Sequence, residues 1–293
     1  MDNRAEIREF LVTRRAKLRP EDTGLPDFGG IRRVPGLRRE EVALLAGVSV
    51  EYYTRLERGG LAGVSDSVLD ALVRALQLDE AEREHLFDLA RAAAPAPKTL
   101  RKKRGQVSPS LQRLLDGMTG TPAFIRNGRL DILAINALGQ MLYSEAFVSS
   151  ERPVNLARFC FLDEGAHRLY PDWQKAAETS VALLHTEAGR DPANGQLTEL
   201  VGELSTRSEE FRTLWARHDV RLHRTGYKEF RHPAVGELRL SFDALTLPAE
   251  QGLTLTAYSA EPNTPSEPRM RALAELTFGA RDGSGAKASA ATN

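Results

Sequence analysis

Apolar residues in the first ninety positions return every three or four residues. Ile7, Phe10 and Leu11, continuing past Arg14-Arg15 to Leu18, predict an amphipathic helix over residues 3–18. Pro20 to Gly36 is rich in glycine and proline and reads as a loop. A second helix is expected over 38–46, a turn at Gly47-Val48, and a third helix from Ser49 to Arg58. Ser49 suits an N-cap, because its hydroxyl accepts a free backbone N–H of the first turn. Gly59-Gly60 ends that helix by supplying a left-handed residue. Helices follow at 66–77 and 79–93, the latter capped by Asp79.

The pattern changes after Ala92-Ala93-Ala94-Pro95-Ala96-Pro97. Ser110 to Met118 reads as a helix. Two β-rich runs, Ala123 to Arg126 and Arg129 to Ile135, then flank Asn127-Gly128, a strong short hairpin signal. Helices are expected at about 137–145, 171–189, 194–204 and 208–216. Three strands close the series: Lys228–His232, Glu237–Leu247 and Leu253–Ala260. The expected fold is α+β and multidomain. A five-helix, all-α domain over 1–93 is joined by a basic linker, 94–106, to an α+β domain over 107–278. That second domain should hold a mostly antiparallel five-stranded sheet, and residues 279–293 read as a disordered tail.

A length of 293 residues leaves room for about two domains. Hydrophobic residues at 41% and charged residues at 27% exclude a chain disordered throughout or collagen-like. The single cysteine, Cys160, excludes an internal disulfide, a Cys-rich zinc module and a CxxC redox site. Its neighbours Phe159 and Phe161 suggest a buried, inert thiol. No apolar run approaches the length of a membrane span, and no signal-peptide core follows the N-terminus, so a cytoplasmic protein without a membrane partner is expected. The net charge is zero, yet residues 1–105 carry +3 and residues 106–293 carry −3. Basic clusters at Arg14-Arg15, Arg32-Arg33, Arg38-Arg39 and Lys98 to Arg104 give local fields suited to a polyanion.

The segment Val42 to Gly59 carries helix-turn-helix logic. Two helices crossing at a short turn need a small residue at the crossing, Ala43, and one tolerant of positive φ in the turn, Gly47. Val42, Leu45, Val48, Tyr53 and Leu56 can face inward. The second helix then turns Val50, Glu51, Tyr52, Thr54, Arg55 and Arg58 outward, toward a major groove. Glu57 suits a phosphate poorly and is placed inward, bonded to basic groups or backbone. The alternative, an αα-hairpin in an ordinary bundle, fits the small–Gly–apolar spacing less well.

The run Pro35-Gly36-Leu37-Arg38-Arg39-Glu40-Glu41-Val42-Ala43-Leu44-Leu45-Ala46-Gly47-Val48-Ser49-Val50-Glu51-Tyr52-Tyr53-Thr54-Arg55-Leu56-Glu57 resembles the XRE-type (lambda-repressor-like) helix-turn-helix family. It is similar to the branch with a C-terminal MmyB-like ligand-binding domain. The likeness continues through Leu169-Tyr170-Pro171-Asp172-Trp173, Ser208-Glu209-Glu210-Phe211, Leu214-Trp215-Ala216-Arg217-His218-Asp219-Val220 and Tyr258-Ser259-Ala260-Glu261-Pro262. The resemblance implies a dimeric transcription regulator with a PAS-like second domain that takes a small hydrophobic, fatty-acid-like ligand and no other cofactor. It puts Arg39 at a phosphate-contacting position, and Val50, Glu51, Tyr52, Thr54 and Arg55 at base- and backbone-contact positions. One departure is the loop Gly59 to Ser65, which is Gly-rich and lacks the family's proline.

The second domain concentrates large apolar groups, among them Phe159, Tyr170, Trp173, Phe211 and Trp215. These are core or the walls of a pocket. Arg158, Arg217, His218 and Arg221 are candidate partners for a ligand carboxylate, with no reason to choose among them. The implied partners are double-stranded DNA with an inverted-repeat operator, the ligand and a second copy of the chain. Two alternatives remain. One has the second domain bind a protein; the other reads His185, His218-Asp219 and Asp243 as the metal set of a phosphohydrolase. The latter needs a mainly helical domain, and Asp243 falls in an expected strand.

Overall fold

The computed structural model describes residues 3–25, 36–93, 107–149, 151–217, 225–247, 250 and 252–285. Arg32-Arg33, the basic run Lys98 to Arg104, His218, Asp219 and Arg221 lie outside the described residues. Among the described residues, no helix is long and apolar enough to cross a membrane.

In chain order the helices and strands are α1 (Asn3–Lys17), α2 (Arg39–Ala46), α3 (Val50–Glu57), α4 (Asp66–Ala75), α5 (Glu80–Ala93) and α6 (Pro109–Asp116). Then come β1 (Ala123–Asn127), β2 (Ile132–Ile135), α7 (Ala137–Leu142), α8 (Leu156–Leu162), α9 (Gly165–Leu169) and α10 (Trp173–Arg190). The chain continues with α11 (Gly195–Arg207), α12 (Glu209–Trp215), β3 (Thr225–His232), β4 (Gly236–Thr246), β5 (Leu253–Ser259) and α13 (Ser266–Gly285). Packing divides them into two units. One comprises Met1–Thr99 with Val181–Leu222, the other Leu100–Ser180 with His223–Asn293.

In the first unit, α1 lies at the centre because its apolar stripe is continuous. Ile7, Phe10 and Leu11 are fully buried with Val42, Tyr53, Leu56, Leu72, Leu86 and Leu89. Its polar groups are buried too. Glu6 Oε1 lies 3.3 Å from His185 Nδ1, and His185 Nε2 lies 2.9 Å from the Trp215 carbonyl oxygen. His185 stacks on Trp215 at 3.7 Å between centroids, and Trp215 stacks in turn on Phe211. Helix ends follow the local chemistry. Ser49 Oγ accepts from Tyr52 N at 3.1 Å, and Asp79 and Glu82 cap each other's backbone N–H. Gly47 (φ 65°) takes the left-handed conformation that the turn after α2 requires. Gly59 (φ 94°) does so after α3, where a Cβ would sit 2.8 Å from the Arg4 backbone.

The second unit holds one antiparallel sheet in the order β2-β1-β5-β4-β3. The strand period of two sends Phe124 into one apolar cluster and Ala123 and Ile125 into another. The first cluster holds residues of α7, α9 and α13, the second residues of α6. Three sequence expectations need correction. The hairpin turn is not a two-residue Asn-Gly turn: the left-handed residue is Leu130 (φ 69°), and Asn127 Oδ1 accepts from Arg129 N and Asp131 N to close a longer loop. Helices α8 and α9 were not anticipated between residues 145 and 171. Helix α13 runs to Gly285, into the stretch 279–293 expected to be disordered. Its buried Met270, Leu273 and Thr277 recur at helical spacing.

Asn136 ties the sheet to α7. Its Oδ1 accepts from Ala123 N (3.0 Å) and Gly139 N (2.7 Å), and its Nδ2 donates to the carbonyls of Met118 (2.8 Å) and Thr121 (2.7 Å). All four capacities of a buried amide are used. Asn136→Ala orphans four backbone groups and is expected to cost about 3 kcal/mol or more in urea denaturation. Asn136→Asp, which sets a carboxylate against two carbonyl oxygens, should cost at least as much. A loss below about 1 kcal/mol in both variants would remove Asn136 from this role.

Candidate DNA interface and ligand site

Helices α2 and α3 form the expected pair, with Val48 N donating to the Ala43 carbonyl across the turn (3.0 Å). Ala43, Val42, Tyr53 and Leu56 are buried, so the opposite face of α3 is left to solvent. Val50 (43% exposed), Glu51, Arg55 and Arg58 are exposed there, and Tyr52 and Thr54 are half-buried beside them. The Arg55 guanidinium lies 4.7 Å from the centre of the Tyr52 ring. This cation–π contact narrows the rotamers of two outward side chains before any partner arrives.

Glu57, at the end of α3, points inward and is 1% exposed. Arg15 of α1 binds it bidentately, with Nε to Oε2 at 3.0 Å and Nη2 to Oε1 at 3.1 Å. Arg39 donates to Oε1 through Nε (3.1 Å) and Nη2 (2.9 Å). Arg15 Nη1 also donates to the Leu37 carbonyl (2.8 Å), joining α1 to the entry of α2. Burial alone would raise the Glu57 carboxyl, but the hydrogen bonds and charges of Arg15 and Arg39 outweigh it and hold the group below the usual range. Arg39, the expected phosphate contact, is half exposed and fixed by this carboxylate. Arg38 is half-buried; its backbone N–H donates to Glu41 Oε2 (2.6 Å) at the start of α2.

In the second unit the internal face of the sheet carries an aromatic box. Tyr143, Phe124, Phe230, Tyr170 and Tyr258 are buried. Tyr143 meets Phe230 edge-on at 5.4 Å and Phe124 at 5.6 Å. The hydroxyls of Tyr143 and Tyr258 are hydrogen-bonded at 2.7 Å. Lys228 of β3 brings its Nζ 4.4 Å from the Tyr170 ring centre and 3.3 Å from Tyr143 Oη. Burial pushes the Lys228 ammonium down to about 8 and the Cys160 thiol up to about 12. The thiol is therefore neutral and buried, as its flanking phenylalanines suggested.

The expected ligand residues separate. Tyr170 lines the box, and Trp173 stands beside it, donating from Nε1 to the Cys160 carbonyl (2.8 Å) and stacking on His167. Arg158 is half-buried at the start of α8. Phe211, Trp215 and Arg217 belong to the other unit, where Phe211 is buried in packing and Arg217 is exposed. Sequence reasoning missed Lys228, Tyr143 and Tyr258. The signal was present: in a strand over 228–232 with Phe230 inward, Lys228 and His232 share its face. Of the phosphohydrolase set, His185 is engaged by Glu6 and Trp215 and Asp243 is exposed on β4, while His218 and Asp219 lie outside the described residues. No group of metal-ligating side chains occurs among the described residues.

The Glu57 triad makes a pH-dependent prediction. A carboxylate held low when folded contributes stability above its unfolded pKa and loses it as pH falls through the folded value. Glu57→Gln should cost about 3 kcal/mol at neutral pH, because two arginines lose their buried counter-charge. The gap to wild type should shrink as pH falls below the usual carboxylate range in denaturant titrations. A gap constant with pH would show that charge is not what Glu57 supplies.

Comparison with protein families matches a helix-turn-helix domain at residues 9–86. It matches the MmyB-like transcription regulator ligand binding domain at residues 107–273, more than half the chain. No curated protein matches the sequence significantly. A solvent-facing second helix in the first match and a five-stranded antiparallel sheet in the second agree with these assignments. The chain belongs to the MmyB-like transcription regulators, DNA-binding proteins rather than enzymes, with a helix-turn-helix domain preceding a ligand-binding domain.

Proposed function

We infer that the protein is a cytoplasmic, dimeric regulator that reads an inverted-repeat operator and responds to a small hydrophobic, fatty-acid-like ligand. The observation that carries the DNA-reading part is the free face of α3, where Arg55 and Tyr52 stand together over a fixed inner face. In this reading Val50, Glu51, Tyr52, Thr54 and Arg55 address the groove, and Arg38, Arg39 and Arg58 address phosphates. A single small head covers only a few base pairs, so useful specificity needs two, arranged about a two-fold axis. The functional division is 1–93 for DNA, 94–106 as basic linker and 107–278 for ligand. The ligand part is supported by the antiparallel sheet with an aromatic box on one face, which suits a PAS-like fold enclosing an apolar molecule. The ligand acts by binding one arrangement of the two heads better than the other.

Selection of bound duplexes from a random pool, followed by titration of the selected site and of random DNA, tests the reading. Arg55→Ala is expected to weaken the selected site about tenfold to a hundredfold and random DNA far less. Equal losses on both would assign Arg55 to phosphate alone, and no selected site would overturn the reading. Native mass spectrometry of the purified full chain is expected to show a lipid-like adduct or to acquire one from added acyl compounds. A protein that stays empty and gains no thermal stability from them would overturn the ligand.

A further inference from the structure

Lys228 occupies a position that strand geometry reserves for apolar residues. On the edge strand β3, Tyr227, Glu229 and Arg231 are exposed, while Phe230 and His232 are buried. Lys228 shares the inward face and is half-buried, and its Nζ lies within 5.5 Å of the ring centres of Tyr143, Tyr170 and Phe230. An ammonium carries three donors. The hydrogen bond it makes is a long one, 3.3 Å to Tyr143 Oη, and no carboxylate among the described residues forms an ion pair with it.

The groups facing it supply no negative charge. Cys160 of α8 and Tyr258 of β5 have their pKa pushed up to about 12 by burial, and Tyr143 and Tyr170 are raised as well. All four are neutral at neutral pH. Arg126 of β1 adds a second positive charge to the same interior. A half-buried ammonium facing neutral groups is costly, and an anion brought to it relieves that cost. Around it lie a neutral hydroxyl pair able to donate and an apolar wall of Phe124, Phe230 and Phe242.

We propose that Lys228 Nζ and the linked hydroxyls of Tyr143 and Tyr258 receive the carboxylate head group of the hydrophobic ligand. The proposal rests on the ligand reading above and adds to it the residues that anchor the head group. The acyl chain supplies apolar contact, and Lys228 selects for the anion. Binding of an acid should be flat up to about pH 8 and then weaken, up to tenfold per pH unit, as Lys228 loses its proton while the ligand stays ionised.

The test uses dodecanoate and dodecanol, which share a chain and differ in the head group, titrated against the full-length protein by calorimetry. Wild type is expected to prefer dodecanoate about tenfold to a hundredfold at pH 7 and to lose the preference near about pH 10. Lys228→Met should bind both equally, and Lys228→Arg should keep the preference. The ligand-free Lys228→Met protein should melt a few degrees higher than wild type, because a half-buried charge without a counter-ion has gone. Equal binding of acid and alcohol by wild type, or a preference that survives in Lys228→Met, overturns the anchor and leaves the apolar ligand standing. Binding of neither compound overturns both. A lower melting point for Lys228→Met would make the lysine a structural element of the core and equally overturn the proposal.

Discussion

A charge removed from water has to be answered, and the two units answer it differently. Glu57 is almost fully buried and is met by two guanidinium groups from separate elements, α1 and α2. That arrangement closes locally: the carboxylate is satisfied, the arginines are held, and the outer face of α3 is free of structural duty. Lys228 is met by phenols and rings, with one weak hydrogen bond. A buried salt bridge broken on one side is costly, and a site with only one side present leaves that cost in the folded protein. Glu57 is thus answered within its own unit, whereas we propose that Lys228 is answered by the head group of the ligand.

Neutral polar hubs do comparable work where no charge is involved. Asn136 and Asn155 each cap a helix with the side-chain oxygen and bind sheet or loop carbonyls with the nitrogen. Asn155 also donates to Asp131, whose other oxygen takes Arg129. Both helix starts are fixed against the β1–β2 hairpin by amides that cannot rotate without orphaning a partner. This is how a short hairpin, weak alone, becomes the reference for the helices that cover the sheet. The aromatic box follows, because Tyr143 leaves α7 and Phe124 leaves β1.

Local chemistry was the legible part of the sequence. Ser49, Gly47, Gly59 and Asp79 each act within a turn or two of their own position, so helices α1 to α5 fell close to their expected bounds. Strand alternation gave β3 to β5 equally well. Helices α8 and α9 are seven and five residues long, too short to display a period. The hairpin loop misled because Asn127 works through its side chain, leaving Gly128 without the role its pairing with asparagine suggested. Glu57 was placed inward by its unsuitability near phosphate, but Arg15 as its partner required the tertiary crossing of α1. Lys228 was overlooked for the opposite reason, since a lysine reads as surface until the register of its strand is taken seriously.

The division by packing cuts across the division by sequence family. Residues 181–217 fall inside the match to the ligand-binding domain, yet they group with the helix-turn-helix helices. The contact is specific: Glu6 of α1 reaches His185 of α10, His185 holds the Trp215 carbonyl, and a Cβ on Gly189 would strike the His85 ring of α5 at 2.5 Å. Buried polar contacts and a required glycine do not tolerate sliding, so these helices keep one register against α1 and α5. A segment that falls within the ligand-binding match therefore touches α1 and α5 of the helix-turn-helix unit through Glu6 and His85.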